Sequence, residues 1–291
     1  MEAITRITSL RELLACCPEY WESGRQAMTD DVVAAAEGLL DGGADEVVVL
    51  DNHGSGHPEN VIVDQLPDRV RAESWNVFDL PAHGVDGMLQ VGYHPRAEQD
   101  GFAPHTYIPG LRLWVGDEEI SESHGRIWAA RTRLVGISGH ARHEQTLGSL
   151  AGVPYLVVQD GTDRARADAM LPRDEARSRL RAFARETLRS TNDAVAPVPP
   201  HDVLMRARVR DATETQAATM AAGGWAQHAD EEFSVELATW PAAREPIAAA
   251  MAAAFEPFSD ITRMDLGSPA ALDALDPARR EALAGRFARS L

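Results

Sequence analysis

The run E-V-V-V-L-D at residues 46–51 limits the fold more than any other feature of the chain. Its apolar residues are mostly β-branched and do not alternate with polar ones, which describes a strand buried on both faces. Strands of that kind belong to parallel sheets, and parallel neighbours need a helical crossover between them. The preceding segment supplies one: Thr29 is placed to cap a helix over residues 30–40, which Gly42 and Gly43 stop. Residues 86–93 end in a second strand, M-L-Q-V-G-Y, and residues 134–138 and 155–159 read as two more. Gly116-Asp117 reads as a hairpin turn between residues 111–115 and Ile120. Helices are expected over residues 121–131 and, rich in arginine, over 174–191. The pattern predicts an α/β fold with a largely parallel sheet flanked by helices.

Residues 194–202, A-V-A-P-V-P-P-H-D, read as a linker, because proline forbids a helix and favours extended chain. Beyond it Val203, Met205, Ala207 and Val209 alternate with Arg206, Arg208 and Arg210. Residues 232–240 alternate as well. The expected division is a metal-binding α/β domain over 1–195 and a smaller α/β unit over 196–291, with strands near 203–211 and 232–240.

Charge and residue usage remove whole classes of function. The formal net charge is -17, which repels phosphate backbones and anionic lipid, so neither nucleic acid nor a membrane surface is expected as a partner. All 28 basic residues are arginine, so Schiff-base chemistry and a phosphate-loop lysine are excluded. Cys16 and Cys17 are neighbours, cannot staple a fold, and fit a reducing compartment. No segment reads as a signal peptide or a membrane span, and a cytoplasmic location is expected.

Chemistry-bearing residues gather where strands end. His53 follows the strand ending at Asp51, and His94 follows the strand ending at Tyr93. His105 lies on a loop eleven residues past His94. Glu122 stands at a helix start, where a carboxylate either complements the helix dipole or is a ligand held by a rigid element. His57, His124, His140 and His143 are expected in loop or surface roles. A nucleophile elbow, a dinucleotide fingerprint and an H-E-x-x-H zinc helix are all missing. Histidine and carboxylate ligands without cysteine suit Zn²⁺, Mn²⁺ or a related ion.

Taken in order, M-E-A-I, M-T-D-D, V-V-L-D-N-H-G, V-G-Y-H-P-R, H-T-Y and D-E-E-I-S-E resemble the zinc D-aminopeptidases of the DppA type. The likeness runs from Met1 to about Thr132 and resumes in V-P-Y-L-V-V and the C-terminal unit. The resemblance implies two zinc ions, removal of the N-terminal residue from short peptides or related amides with a preference for D-residues, and a ring-shaped homo-oligomer. It implies metal ligands at Glu2, His53, His94 and Glu122. It makes His105 the catalytic histidine, serving proton transfer or the charge of the tetrahedral intermediate.

Three departures from the pattern stand out. The family motif is Asp-Met-Glu with a metal-bridging aspartate, and this sequence opens at that methionine; the expectation is that Met1 is an internal methionine of a longer chain. The segment after Glu122 reads S-H-G-R-I-W instead of G-x-N-A, which makes Glu144 a rival ligand. About twenty residues more than the family's usual loop economy precede V-P-Y. The alternatives to a peptidase are a metal amidohydrolase acting on a non-peptide amide and a non-catalytic, metal-free homologue.

Overall fold

The structure, a computed structural model, describes residues 18–51, 61–73, 85–130, 132–150, 152–164, 169–190, 199–255 and 278. Glu2, His53, His57, Cys16 and Cys17 lie outside the described residues. The first helix, α1 (Pro18–Gly42), is longer than the sequence suggests and runs through Thr29 without a break. Thr29 is fully buried, and its hydroxyl accepts the Ile62 N–H at 2.9 Å. The cap expected there is therefore a tertiary hydrogen bond. A buried hydroxyl needs a partner, and a mid-helix threonine meets that need as well as a capping one does.

Two parallel sheets come first. Strand β1 (Val47–Leu50) pairs with β2 (Val70–Glu73). Strand β3 (Gly87–Tyr93) pairs with β6 (Arg133–His140), which pairs with β7 (Tyr155–Gln159). The crossover between β3 and β6 contains the hairpin β4 (Leu111–Val115) and β5 (Glu118–Ile120), then helix α2 (Glu122–Ala130). A short helix α3 (Ala141–Glu144) leaves the end of β6. Helix α4 (Arg173–Arg189) packs on the sheet through Phe183, whose ring occupies the space a side chain at Gly136 would need. It also packs on α1, where Arg181 bridges Glu37 and Asp41.

The third sheet is antiparallel, in the order β5-β4-β8-β10-β9. It joins the hairpin to β8 (His201–Val209), β9 (Ala226–Gln227) and β10 (Glu232–Thr239). His201 and Asp202, expected in the linker, belong to β8 and pair within the sheet's register at Thr239↔His201. Hydrogen bonds from Leu111↔Val209 to Val115↔Met205 join segments on opposite sides of residue 195. The alternation of β8 is as expected: Met205, Ala207 and Val209 are buried, while Arg206 and Arg208 face outward.

Helices α5 (Glu214–Ala222) and α6 (Arg244–Phe255) cover the apolar face of this sheet. A capping box at Thr213 and Gln216 starts α5. The core here comprises Leu111, Leu113, Ile120, Met205, Met220, Phe233 and Ile247 with the indoles of Trp128 and Trp240. Each fully buried aliphatic side chain contributes roughly 1.5–3 kcal/mol. A smaller core of Tyr93, Ile127, Leu134, Ile137, Leu147 and Leu150 lies against the parallel strands. Helix α2 contributes to both cores, Trp128 to one and Ile127 to the other, so its first residue is held from two sides.

Candidate metal centre

His94 is the first residue after β3, at the carboxyl end of the parallel sheet. The following loop turns back on itself. The His105 N–H donates to the Pro95 carbonyl at 3.1 Å, and buried Thr106 accepts from the Ala97 N–H at 3.3 Å. Glu98, Ala103 and Tyr107 all adopt positive φ, at 63°, 54° and 60°. That conformation costs a residue with a side chain of order 1 kcal/mol or more, and it persists only where surroundings impose it. An ion-pair relay from Arg96 to Glu119, Arg112, Glu98 and Arg210 supplies part of that constraint.

Glu122 enters from the opposite side, as the first residue of α2. One side-chain nitrogen or oxygen from each of His94, His105 and Glu122 can be chosen so that all lie within 4.8 Å of one another. The His94 Nε2 is 2.8 Å from Glu122 Oε1. The imidazole rings of His94 and His105 are stacked, 3.8 Å between centroids and 13° from parallel. Each ring is anchored through Nδ1, His94 to the Pro95 carbonyl and His105 to the Ala103 carbonyl, both at 2.8 Å. A carbonyl partner makes Nδ1 the donor and commits Nε2 to whatever the site holds. Both nitrogens of His94 thus face oxygen acceptors, an arrangement that a positive charge between Nε2 and Glu122 satisfies. Two imidazoles and a carboxylate, each held from behind, fit a divalent ion of the zinc type.

Electrostatics agrees with that fit. Burial alone pushes the Glu122 carboxyl upward. The His94 hydrogen bond and the charges of His94, Arg126 and His105 outweigh it and bring the carboxyl down to about 2. The group is an anion at any working pH.

Three histidines expected at the surface are buried instead. His124 and His143 are fully buried, and His140 is 1% exposed. They form a proton-ordered network behind Glu122. The Ser121 N–H donates to His124 Nδ1 at 3.2 Å, so His124 Nε2 faces the Leu147 carbonyl and Glu118 as a donor. The Tyr155 hydroxyl donates to the His140 carbonyl at 3.0 Å and therefore accepts from His143 Nδ1 at 3.1 Å. His143 Nε2 is then the acceptor for the Ser121 hydroxyl at 3.3 Å. Burial, reinforced by the charges of His94 and His124, lowers His143 to about 3, so it stays neutral. Sequence spacing carries no sign of this network, because its members are distant in the chain and adjacent only in space.

Of the residues singled out from sequence, the fold thus brings together His94, His105 and Glu122. Glu144, the rival to Glu122, is exposed at the end of α3 and outside this grouping. Glu2 and His53 fall outside the described residues.

Two imidazoles and a carboxylate at the carboxyl end of a parallel sheet are the arrangement of a metal-dependent α/β hydrolase. Sequence comparison narrows that class: the profile described as D-aminopeptidase matches residues 1–245, and the chain belongs to that family. It is 28% identical over 156 residues to a D-aminopeptidase of Bacillus subtilis (strain 168). That match spans about half of each protein, 51% of this chain and 49% of the relative. The fold is similar to that of the Zn-dependent D-aminopeptidase DppA from Bacillus subtilis, a self-compartmentalizing protease. The TM-score is 0.72 at 20% identity, over 88% of this chain and 95% of that one.

Proposed function

We propose that the protein is a zinc-dependent aminopeptidase that removes the N-terminal residue, preferentially a D-residue, from short peptides. The observation that carries this reading is the convergence of His94, His105 and Glu122 from three separate segments. Membership of the D-aminopeptidase family supports it. His94 and Glu122 would hold the metal, with Glu2 and His53 completing a set for two divalent ions.

When bound, the metal supplies a hydroxide at neutral pH and polarises the scissile carbonyl. The chain's own groups do the rest. The carboxylate of Glu122 stays ionised and fixes the His94 ring by their shared contact. His105, stacked on His94 and anchored at Nδ1, presents a bare Nε2 that would first take the proton lost by the attacking water and then pass it to the leaving amine. Thr106 and the strained backbone around it hold that ring at its angle. The same reading proposes a cytoplasmic location, as expected from the sequence, and a ring-shaped homo-oligomer, an assembly that similarity to a self-compartmentalizing protease supports.

The test is elemental analysis of the purified protein together with hydrolysis of D-alanyl-D-alanine and L-alanyl-L-alanine. About two zinc ions per chain and chelator-sensitive cleavage of the D-peptide are expected. A protein that stays metal-free in excess zinc and cleaves neither peptide overturns the reading.

A further inference from the structure

Arg126 lies one turn after Glu122 on helix α2 and is 3% exposed. A guanidinium that deep is normally paired, because an isolated buried charge is costly. Among the described residues this one forms no ion pair, and its Nε has no hydrogen bond. The Tyr107 hydroxyl beside it is also buried and also without a hydrogen bond. It presses on α2 where a side chain at Gly125 would otherwise project. The positive charge of Arg126 is felt by both neighbours, since it favours the ionised forms of Glu122 and of Tyr107. Two unsatisfied polar groups thus lie on or against the helix that begins at Glu122, and together they offer a cation and a hydroxyl donor.

We propose that Arg126 and Tyr107 form a subsite for the free C-terminal carboxylate of a dipeptide substrate. The proposal rests on the aminopeptidase reading and deepens it by naming what the substrate must carry. A guanidinium presents a planar fork that matches a carboxylate in two hydrogen bonds. Residues four apart on a helix have Cβ atoms about 5–6 Å apart. A carbonyl being attacked beside Glu122 is separated from the carboxylate of the next residue by about one Cα–Cα step, roughly 3.8 Å. The spacing suits a dipeptide, and each further residue moves the carboxylate another step away. Arg126 would select short substrates by their charge, and its fork would gain hydrogen-bonded oxygens when substrate is bound.

The experiment uses the zinc-loaded protein and the reduced-amide analogue of D-alanyl-D-alanine, as free acid and as C-terminal carboxamide, with calorimetric binding to wild type and Arg126→Gln. Wild type is expected to bind the acid at least tenfold more tightly than the carboxamide, and Arg126→Gln to bind the two alike. In ligand-free protein, Arg126→Met is expected to melt several degrees above wild type, because it removes an unpaired buried charge. Equal binding of acid and carboxamide by wild type overturns the proposal, and so does an Arg126→Met variant that melts below wild type. Hydrolysis of D-alanyl-D-alanine, followed in parallel, keeps the two readings apart: acid preference without cleavage strikes the aminopeptidase assignment and leaves the carboxylate subsite standing.

Discussion

His94 and His105 lie ring on ring, 3.8 Å apart and nearly parallel, although ten residues of chain lie between them. Their Nδ1 atoms are tied to different backbone carbonyls, at Pro95 and Ala103. The stack therefore fixes two Nε2 atoms at one site while keeping their roles separable. The His94 ring contacts the Glu122 carboxylate directly at 2.8 Å, while the His105 ring is fixed by the stack and by the Ala103 carbonyl.

That separation predicts two different phenotypes. If His94 holds the metal as proposed, His94→Ala is expected to lower zinc affinity by at least tenfold. His105→Ala is expected to keep most of the zinc while kcat falls by about 10²–10⁴, the usual worth of a positioned acid or base. Metal content and kcat measured on the same preparations decide the matter. Parallel loss of zinc in both variants would make His105 a ligand and not the proton donor.

The loop that carries His105 is held by charge as well as by backbone. Arg112 grips Glu119 in two hydrogen bonds of 2.8 Å each and also reaches Glu98 at 2.6 Å. Both partners of the Arg112–Glu119 pair are largely buried, at 23% and 10% side-chain exposure, so solvent screens them less than a surface pair. A double-mutant cycle with Arg112→Met and Glu119→Gln is expected to give a coupling of about 1–2 kcal/mol. Additive effects in denaturant unfolding would show that the network is ornamental and that the backbone alone shapes the loop.

Much of this architecture was legible in the sequence, for identifiable reasons. Strand β7 and the hairpin turn at Gly116 follow from local pattern, since a short apolar run between turn residues has few other solutions. Local pattern reads Thr29 as a cap, whereas the partner of its hydroxyl, Ile62, is 33 residues away. The same limit hid His124, His140 and His143. A histidine in a loop-like stretch reads as surface, and only the fold shows that Ser121, Tyr155 and Gly161 satisfy those rings. Resemblance favours Glu122 over Glu144, and in the structure Glu122 lies 2.8 Å from His94 while Glu144 is exposed. The burial of Arg126 cannot be seen in a single sequence, where it is one arginine on a helix.

The buried histidines make the protein acid-sensitive in a defined window. His143 has an ordinary value of 6.5 and is lowered to about 3 by burial and by the charges of His94 and His124. Between those values the unfolded chain binds a proton that the folded chain refuses. Stability therefore falls as pH drops from 6.5 toward 3, by up to an amount on the order of 4–5 kcal/mol. Glu118 behaves differently. The His124 hydrogen bond, opposed by burial and helped by Ser149, lowers it to about 2, so its contribution is complete above pH 4.5 and is lost only on approach to pH 2. Wild type should lose stability relative to His143→Gln across pH 6.5 to 4.5. Parallel stability curves for the two proteins over that range would mean that His143 is not held neutral.

Trp240 joins the antiparallel core to the helix that bears Glu122. Its indole N–H donates to the Gly125 carbonyl at 3.2 Å, and its ring meets Trp128 edge-on, 4.8 Å between centroids at 70°. Both contacts fall on α2, within two turns of Glu122. Trp240→Ala should cost roughly 3–5 kcal/mol, as large aromatic deletions in a core do. Trp240→Phe keeps most of the ring and loses the hydrogen bond, for a cost nearer about 1 kcal/mol in the bond itself. The surface bridge from Arg181 to Glu37 provides the contrast. Its side chains are 48% and 37% exposed, and Arg181→Ala should change stability by less than about 1 kcal/mol. Because Gly125 and Trp128 position α2, Trp240→Ala should also weaken zinc binding at temperatures where the variant is still folded, whereas Arg181→Ala should not. Thermal melts with and without zinc measure both effects at once. A zinc-induced shift in Trp240→Ala as large as that of wild type would show that this core does not reach the metal site.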